Sequence, residues 1–116
     1  MSDAALPNDP GEKYAHLAKS GNYLQYSGIM EDSPVDFFFN IENNSFLCET
    51  TIDGNVAKMA GDLLKDNDNY KCIPKYGIQP NDKSGEWVDK AGEEEKTFDL
   101  TSSTLNFEGC TLTKQN

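Results

Sequence analysis

Apolar and polar residues alternate most cleanly between Val35 and Asp53, VDFFFNIENNSFLCETTID. The alternation predicts a β-hairpin turning at Asn43-Asn44, a pair that tolerates the positive φ of a tight turn. With that turn, Ile41 faces Phe46, Phe39 faces Cys48, Phe37 faces Thr50 and Val35 faces Ile52, all on one mostly apolar side. The other side pairs Glu42 with Ser45, Asn40 with Leu47, Phe38 with Glu49 and Asp36 with Thr51, and is mostly polar. A one-residue slip would scramble both sides, so the register is well specified. Phe38 stands out as an aromatic ring on the polar side, which marks it as a contact for a partner or a second copy of the chain.

Elsewhere the periodicity changes. From Val56 the apolar positions Val56, Met59, Ala60, Leu63 and Leu64 follow the i, i+3, i+4, i+7, i+8 spacing of an amphipathic helix, which would cross the sheet. Asp53-Gly54-Asn55 ends the preceding strand and offers a cap, and Asp66-Asn67-Asp68-Asn69 ends the helix. That acidic run begins like a calcium loop but lacks the glycine at its sixth position and the glutamate at its twelfth, so it reads as a solvated helix exit. Asp9 caps a short N-terminal helix, with Pro10 in its first turn and Gly21 closing it. Strands are expected at Asn22 to Met30, Tyr70 to Lys75 (an edge, because of Pro74) and Glu86 to Lys90, with a turn at Ser33-Pro34. A second hairpin is expected from Lys96 to Leu100 and Thr104 to Thr113 around Ser102-Ser103, with a bulge at Glu108-Gly109. These elements predict an α+β fold: an antiparallel β-sheet of five to seven strands with two hairpins, one crossing helix and a short N-terminal helix. Residues 1–8 read as a flexible arm and 9–116 as one domain.

Charge narrows the function. Of the 116 residues, 20 are acidic and 10 basic, and every basic residue is lysine, giving a net charge of −10. A field of that sign repels nucleic acid and anionic lipid, attracts basic partners, and comes without the arginine that clamps phosphate. No apolar run is long enough to span a bilayer, so no membrane insertion is expected. The single histidine, His16, and cysteines at 48, 72 and 110 form neither a nucleophile–base pair nor a zinc pattern. The chain therefore reads as a non-enzyme without cofactor or metal. Three cysteines fit either an exported domain with one disulfide and one free thiol, or three thiols in the cytosol; the reading favours a periplasmic or secreted location.

The segment from Ser84 onward resembles the C-terminal half of bacterial periplasmic inhibitors of chicken-type lysozyme. The matching features are Ser84-Gly85, Trp87 with Lys90 close behind, an acidic turn, and the strand Leu105-Asn106-Phe107-Glu108-Gly109-Cys110. The resemblance implies a disulfide between Cys48 and Cys110, leaving Cys72 over, and a loop that enters the lysozyme cleft. Ser84-Gly85-Glu86-Trp87 carries neither the basic residue nor the tyrosine of that family's loop; Glu86 is placed to take over the basic residue's position with reversed charge, which suits a cleft carrying Lys or Arg beside its catalytic acids. The implied contact residues are Asp82, Ser84, Glu86, Trp87, Glu93, Glu94 and Glu95. The small acidic body also resembles periplasmic immunity proteins that block secreted wall-cleaving toxins. The expected function is an inhibitor or immunity protein against a basic wall hydrolase. The alternatives are the soluble head of a pilin-like subunit and a charge mimic of nucleic acid.

Overall fold

In the computed structural model, which describes residues 9–81 and 85–116, the chain is a long antiparallel meander wrapped on itself with one helix outside. Helix α1 (Pro10–Ala18) is followed by β1 (Leu24–Met30), β2 (Ser33–Asn40), β3 (Ser45–Ile52), β4 (Asn55–Asp66) and β5 (Asn69–Ile78). Then come β6 (Val88–Asp89), β7 (Lys96–Phe98), β8 (Thr104–Phe107) and β9 (Cys110–Lys114). All nine strands belong to one sheet in the order β6-β5-β4-β3-β2-β1-β9-β8, with β7 sharing the outer edge of β5. The fold is thus mostly β, with more strands than the expected five to seven and a single short helix.

The largest difference from the sequence reading is β4. Asn55–Asp66 is a twelve-residue strand, not a helix crossing the sheet. Asp53-Gly54 forms a two-residue turn with both φ values positive (52° and 81°), joining Ile52 to its partner Asn55. This is the Asp-Gly hairpin turn whose twist matches that of the flanking strands. A second two-residue turn, with Asn67 at φ 57°, joins β4 to β5. The helical stripe arose because β4 is apolar on both faces. Met59 and Leu63 face the inner core, and Ala60 is fully buried on the outer face under α1.

The central hairpin forms between β2 and β3, with Asn40 opposite Ser45 and a four-residue loop in place of the two-residue turn. Phe39 therefore pairs with Phe46, and Phe37 with Cys48. The displacement is an even number of positions, so every side chain keeps its face. The chain turns into β2 at Glu31-Asp32, both at positive φ, and not at Ser33-Pro34. The last hairpin joins β8 to β9 through Glu108-Gly109, where a bulge was expected. β7 pairs with β5 instead of β8. Nor is β5 an edge. Pro74 lies opposite Gly61 at a register shift, in the gap between the residues of β5 that pair with β7 and those that pair with β6.

Curling divides the core in two. The inner cluster gathers Tyr26, Val35, Phe37, Phe39, Phe46, Leu63, Phe98, Leu100, Leu105 and Leu112. The connection from β7 to β8 bridges the two ends of the sheet, and the Tyr26 hydroxyl donates to Ser102 O at 2.6 Å, tying that connection to β1. The outer cluster is Ala15, Ala18, Phe38, Leu47 and Ala60. Phe38 is buried beneath α1, 5.7 Å from the Tyr23 ring and 4.6 Å beneath the Lys19 ammonium, so it is not an exposed contact. Asn40 is fully buried yet satisfied: its amide donates to Leu17 O (2.9 Å) and Ser20 O (2.6 Å), and Asn43 also donates to Leu17 O. The hairpin loop thereby satisfies the carbonyls left open at the helix C-terminus.

A candidate binding end

In an antiparallel meander alternate turns share an end. The turns Glu31-Asp32, Asp53-Gly54 and Glu108-Gly109 fall together at one end, and the bend from Glu93 to Glu95 joins them there. At the opposite end the inner face is filled by Leu63, Leu100 and Leu105, but at this end it is open. A pocket of about 360 Å³ opens here, floored by Phe37, Phe46, Phe98 and Phe107 and flanked by Met30 and Met59. Thr50, Ala57 and Pro74 line one wall with small side chains, so β3, β4 and β5 leave the space unfilled.

The rim is charged. Lys96 lies 3.3 Å from Glu94 and 3.1 Å from Glu108, which raise its pKa, the hydrogen bond it donates to Glu108 having the largest effect. Glu93, Lys90 and Lys58, the last paired with Glu49 at 3.3 Å, are the other charged residues of the lining. Lys90 lies over Gly77, its Cγ 3.1 Å from where a Cβ would stand, and has no ion-pair partner among the described residues. Ile29, Ile52 and Val56 are exposed beside the turns of this end.

Two thiols line the pocket, Cys48 and Cys72. All three cysteines are free, which overturns the Cys48–Cys110 disulfide. β2 and β1 lie between β3, which carries Cys48, and β9, where the Cys110 thiol donates to Ile29 O at 3.0 Å. Three free thiols leave the periplasmic or secreted location without the disulfide expected to mark it. Burial, then the charges of Glu49 and Asp36, push Cys48 from 9.0 up to about 12; burial and then Cys48 push Cys72 up as well. Raised thiol pKa values stabilise the fold fully below the unfolded pKa, and that contribution is lost as pH rises towards the folded one. Denaturant melts are thus expected to weaken from about pH 9 upward by as much as about 1.4 kcal/mol per pH unit for each thiol. Replacing both Cys48 and Cys72 with alanine should flatten that slope; an unchanged slope would mean the thiols ionise as readily folded as unfolded.

Those of the expected contact residues that are described do not form one surface. Glu93 and Glu94 line the pocket mouth, and Glu95 pairs with Lys71 at 3.7 Å beside β5 and β7. Trp87 turns to the outer layer, where its ring packs on Gly11 and Nε1 donates to Glu12 at 2.7 Å. Glu86 is exposed next to it. Asp82 and Ser84 lie outside the described residues. The residues that sequence reading missed are Met59, Thr50, Ala57 and the turn acid Asp53, whereas Glu31 and Asp32 already stood out as an acidic cluster able to steer a basic partner; the Asp-Gly turn signal alone would have placed β4 and its inward side chains. Among the described residues no His, Cys, Asp and Glu side chains gather as a metal-ligand set, and no helix is long and apolar enough to cross a membrane. No family model, curated protein or solved structure matches the chain.

Proposed function

We propose that the chain is a non-catalytic binding protein, an inhibitor or immunity protein that docks its open end on a basic enzyme such as a wall hydrolase. The observation that carries this reading is the gathering at one end of Glu31, Asp32, Asp53, Glu93, Glu94 and Glu108, against Lys90 and Lys96, beside exposed Ile29, Ile52 and Val56. Apolar contacts bordered by charge are the ordinary anatomy of a protein contact, and a negative rim speeds encounter with a positive cleft. The reading rests on this layout and no longer on the loop at Ser84 or on Trp87, whose ring is engaged with α1.

Chicken-type lysozyme is a suitable first partner for calorimetry and wall-lysis assays. Changing Glu31, Asp32, Glu93 and Glu94 to their amides should slow association about tenfold or more at low salt, with the difference closing at high salt. Equal binding by the amide variant and the parent at low salt would show that the open end is not the contact. The pilin-like alternative has no comparable feature in its favour.

A further inference from the structure

The pocket beneath the rim has chemistry of its own. Its floor consists of Phe37, Phe46, Phe98 and Phe107, with the Met30 and Met59 thioethers at the sides. Phe98 and Phe107 both meet Phe37 edge-on, at 5.5 and 4.9 Å between centroids, which holds the rings in place. Core packing normally leaves few voids larger than a water molecule. This space of about 360 Å³ is at the lower end of ligand-site sizes. At about 30 Å³ each it would hold roughly a dozen waters, most facing carbon or sulfur and short of polar partners. Displacing poorly held water with an apolar group gains affinity.

Charge decides the class of occupant. At the mouth Lys96 is already matched by Glu94 and Glu108. Over the whole lining Lys58, Lys90 and Lys96 stand against Glu93, Glu94 and Glu108, with Lys58 paired to Glu49 at 3.3 Å, so the lining has no net charge to compensate that of a ligand. Both thiols are held neutral by burial. A charged group drawn over this floor would lose its hydration without a counter-ion. We infer that the open end of the curled sheet is a binding site for a small, uncharged, aromatic molecule, seated on the phenylalanine floor. This site is independent of whether the rim also meets a protein.

The test uses N-phenyl-1-naphthylamine, an uncharged probe that fluoresces in apolar surroundings, with the anionic anilinonaphthalene sulfonate for comparison. The uncharged probe should bind saturably, one per chain, and more tightly than the sulfonate. It should also shift the ¹³C-methyl resonances of Met30 and Met59. Ala57→Phe, which places a ring in the pocket from the wall, should weaken binding about tenfold or more while leaving the circular dichroism unchanged. Saturable binding with both methyl shifts on the wild-type chain supports the site even if Ala57→Phe does not fold. Non-saturable binding, unmoved methyls, tighter binding of the sulfonate, or a folded Ala57→Phe that binds like wild type would each overturn it. No protein partner enters the assay, so its failure is separate from failure of the inhibitor reading.

Discussion

Phe39→Ala should lower stability by about 3–5 kcal/mol, through lost transfer energy and the cavity left behind. The ring is fully buried at the centre of the inner cluster, with Tyr26, Phe37 and Phe98 at 5.8, 5.3 and 5.7 Å. Those neighbours come from β1, β2 and β7, so they cannot collapse together without moving the sheet. Phe38→Ala should also be costly, about 3 kcal/mol, because α1 covers it. Urea melts settle both. A near-neutral Phe38→Ala would mean that the helix does not pack on the outer face in solution.

Gly61→Ala is expected to cost about 3 kcal/mol or more, an overpacking penalty at the upper end because backbone must move. A Cβ there would overlap the carbonyl oxygen of Ile73, and it would also stand 2.9 Å from Lys75 N. The close approach belongs to the bulge in β5, where Gly61 pairs with Pro74 and Ala60 with Tyr76. Relief requires β4 and β5 to separate at the place where Leu63 and Cys72 enter the inner core. Thermal unfolding of the single variant is the measurement. A melting temperature equal to wild type would show that β4 and β5 are not so closely apposed.

Several elements were legible because one physical requirement acted alone. Asp9 accepts a hydrogen bond from Gly11 N at 2.9 Å, as an N-cap must, and Pro10 costs the first turn nothing. In β2 the inward Val35, Phe37 and Phe39 alternate with residues of the other face, so the hairpin's faces were readable even though its loop is two residues longer than expected. The last hairpin was not among them: Leu105 stands opposite Leu112 and Phe107 opposite Cys110 because the chain turns at Glu108-Gly109, where one bulged strand paired with Lys96 to Leu100 was expected.

Where two requirements overlapped, the pattern misled. β4 is buried on the outside by a helix more than thirty residues earlier in the chain, so its period of two was masked and a helical spacing appeared by coincidence. Phe38 looked exposed for the same reason, since nothing near it in sequence announces the helix above it. Cys48 and Cys110 both belong on core-facing positions, but only the strand order places two strands between them.

The amino-acid sequence by itself determined the central strands and their faces, the capped N-terminal helix, and a net charge that favours basic partners, because these depend on local period, local hydrogen bonding and composition. The tertiary structure alone decided that the acids of three turns and one bend meet at one end, and that small residues on β3, β4 and β5 leave a pocket there above a floor of phenylalanines. Both follow from the direction and curl of the strands, which bring together residues as distant as Glu31 and Glu108, and no local pattern encodes that meeting.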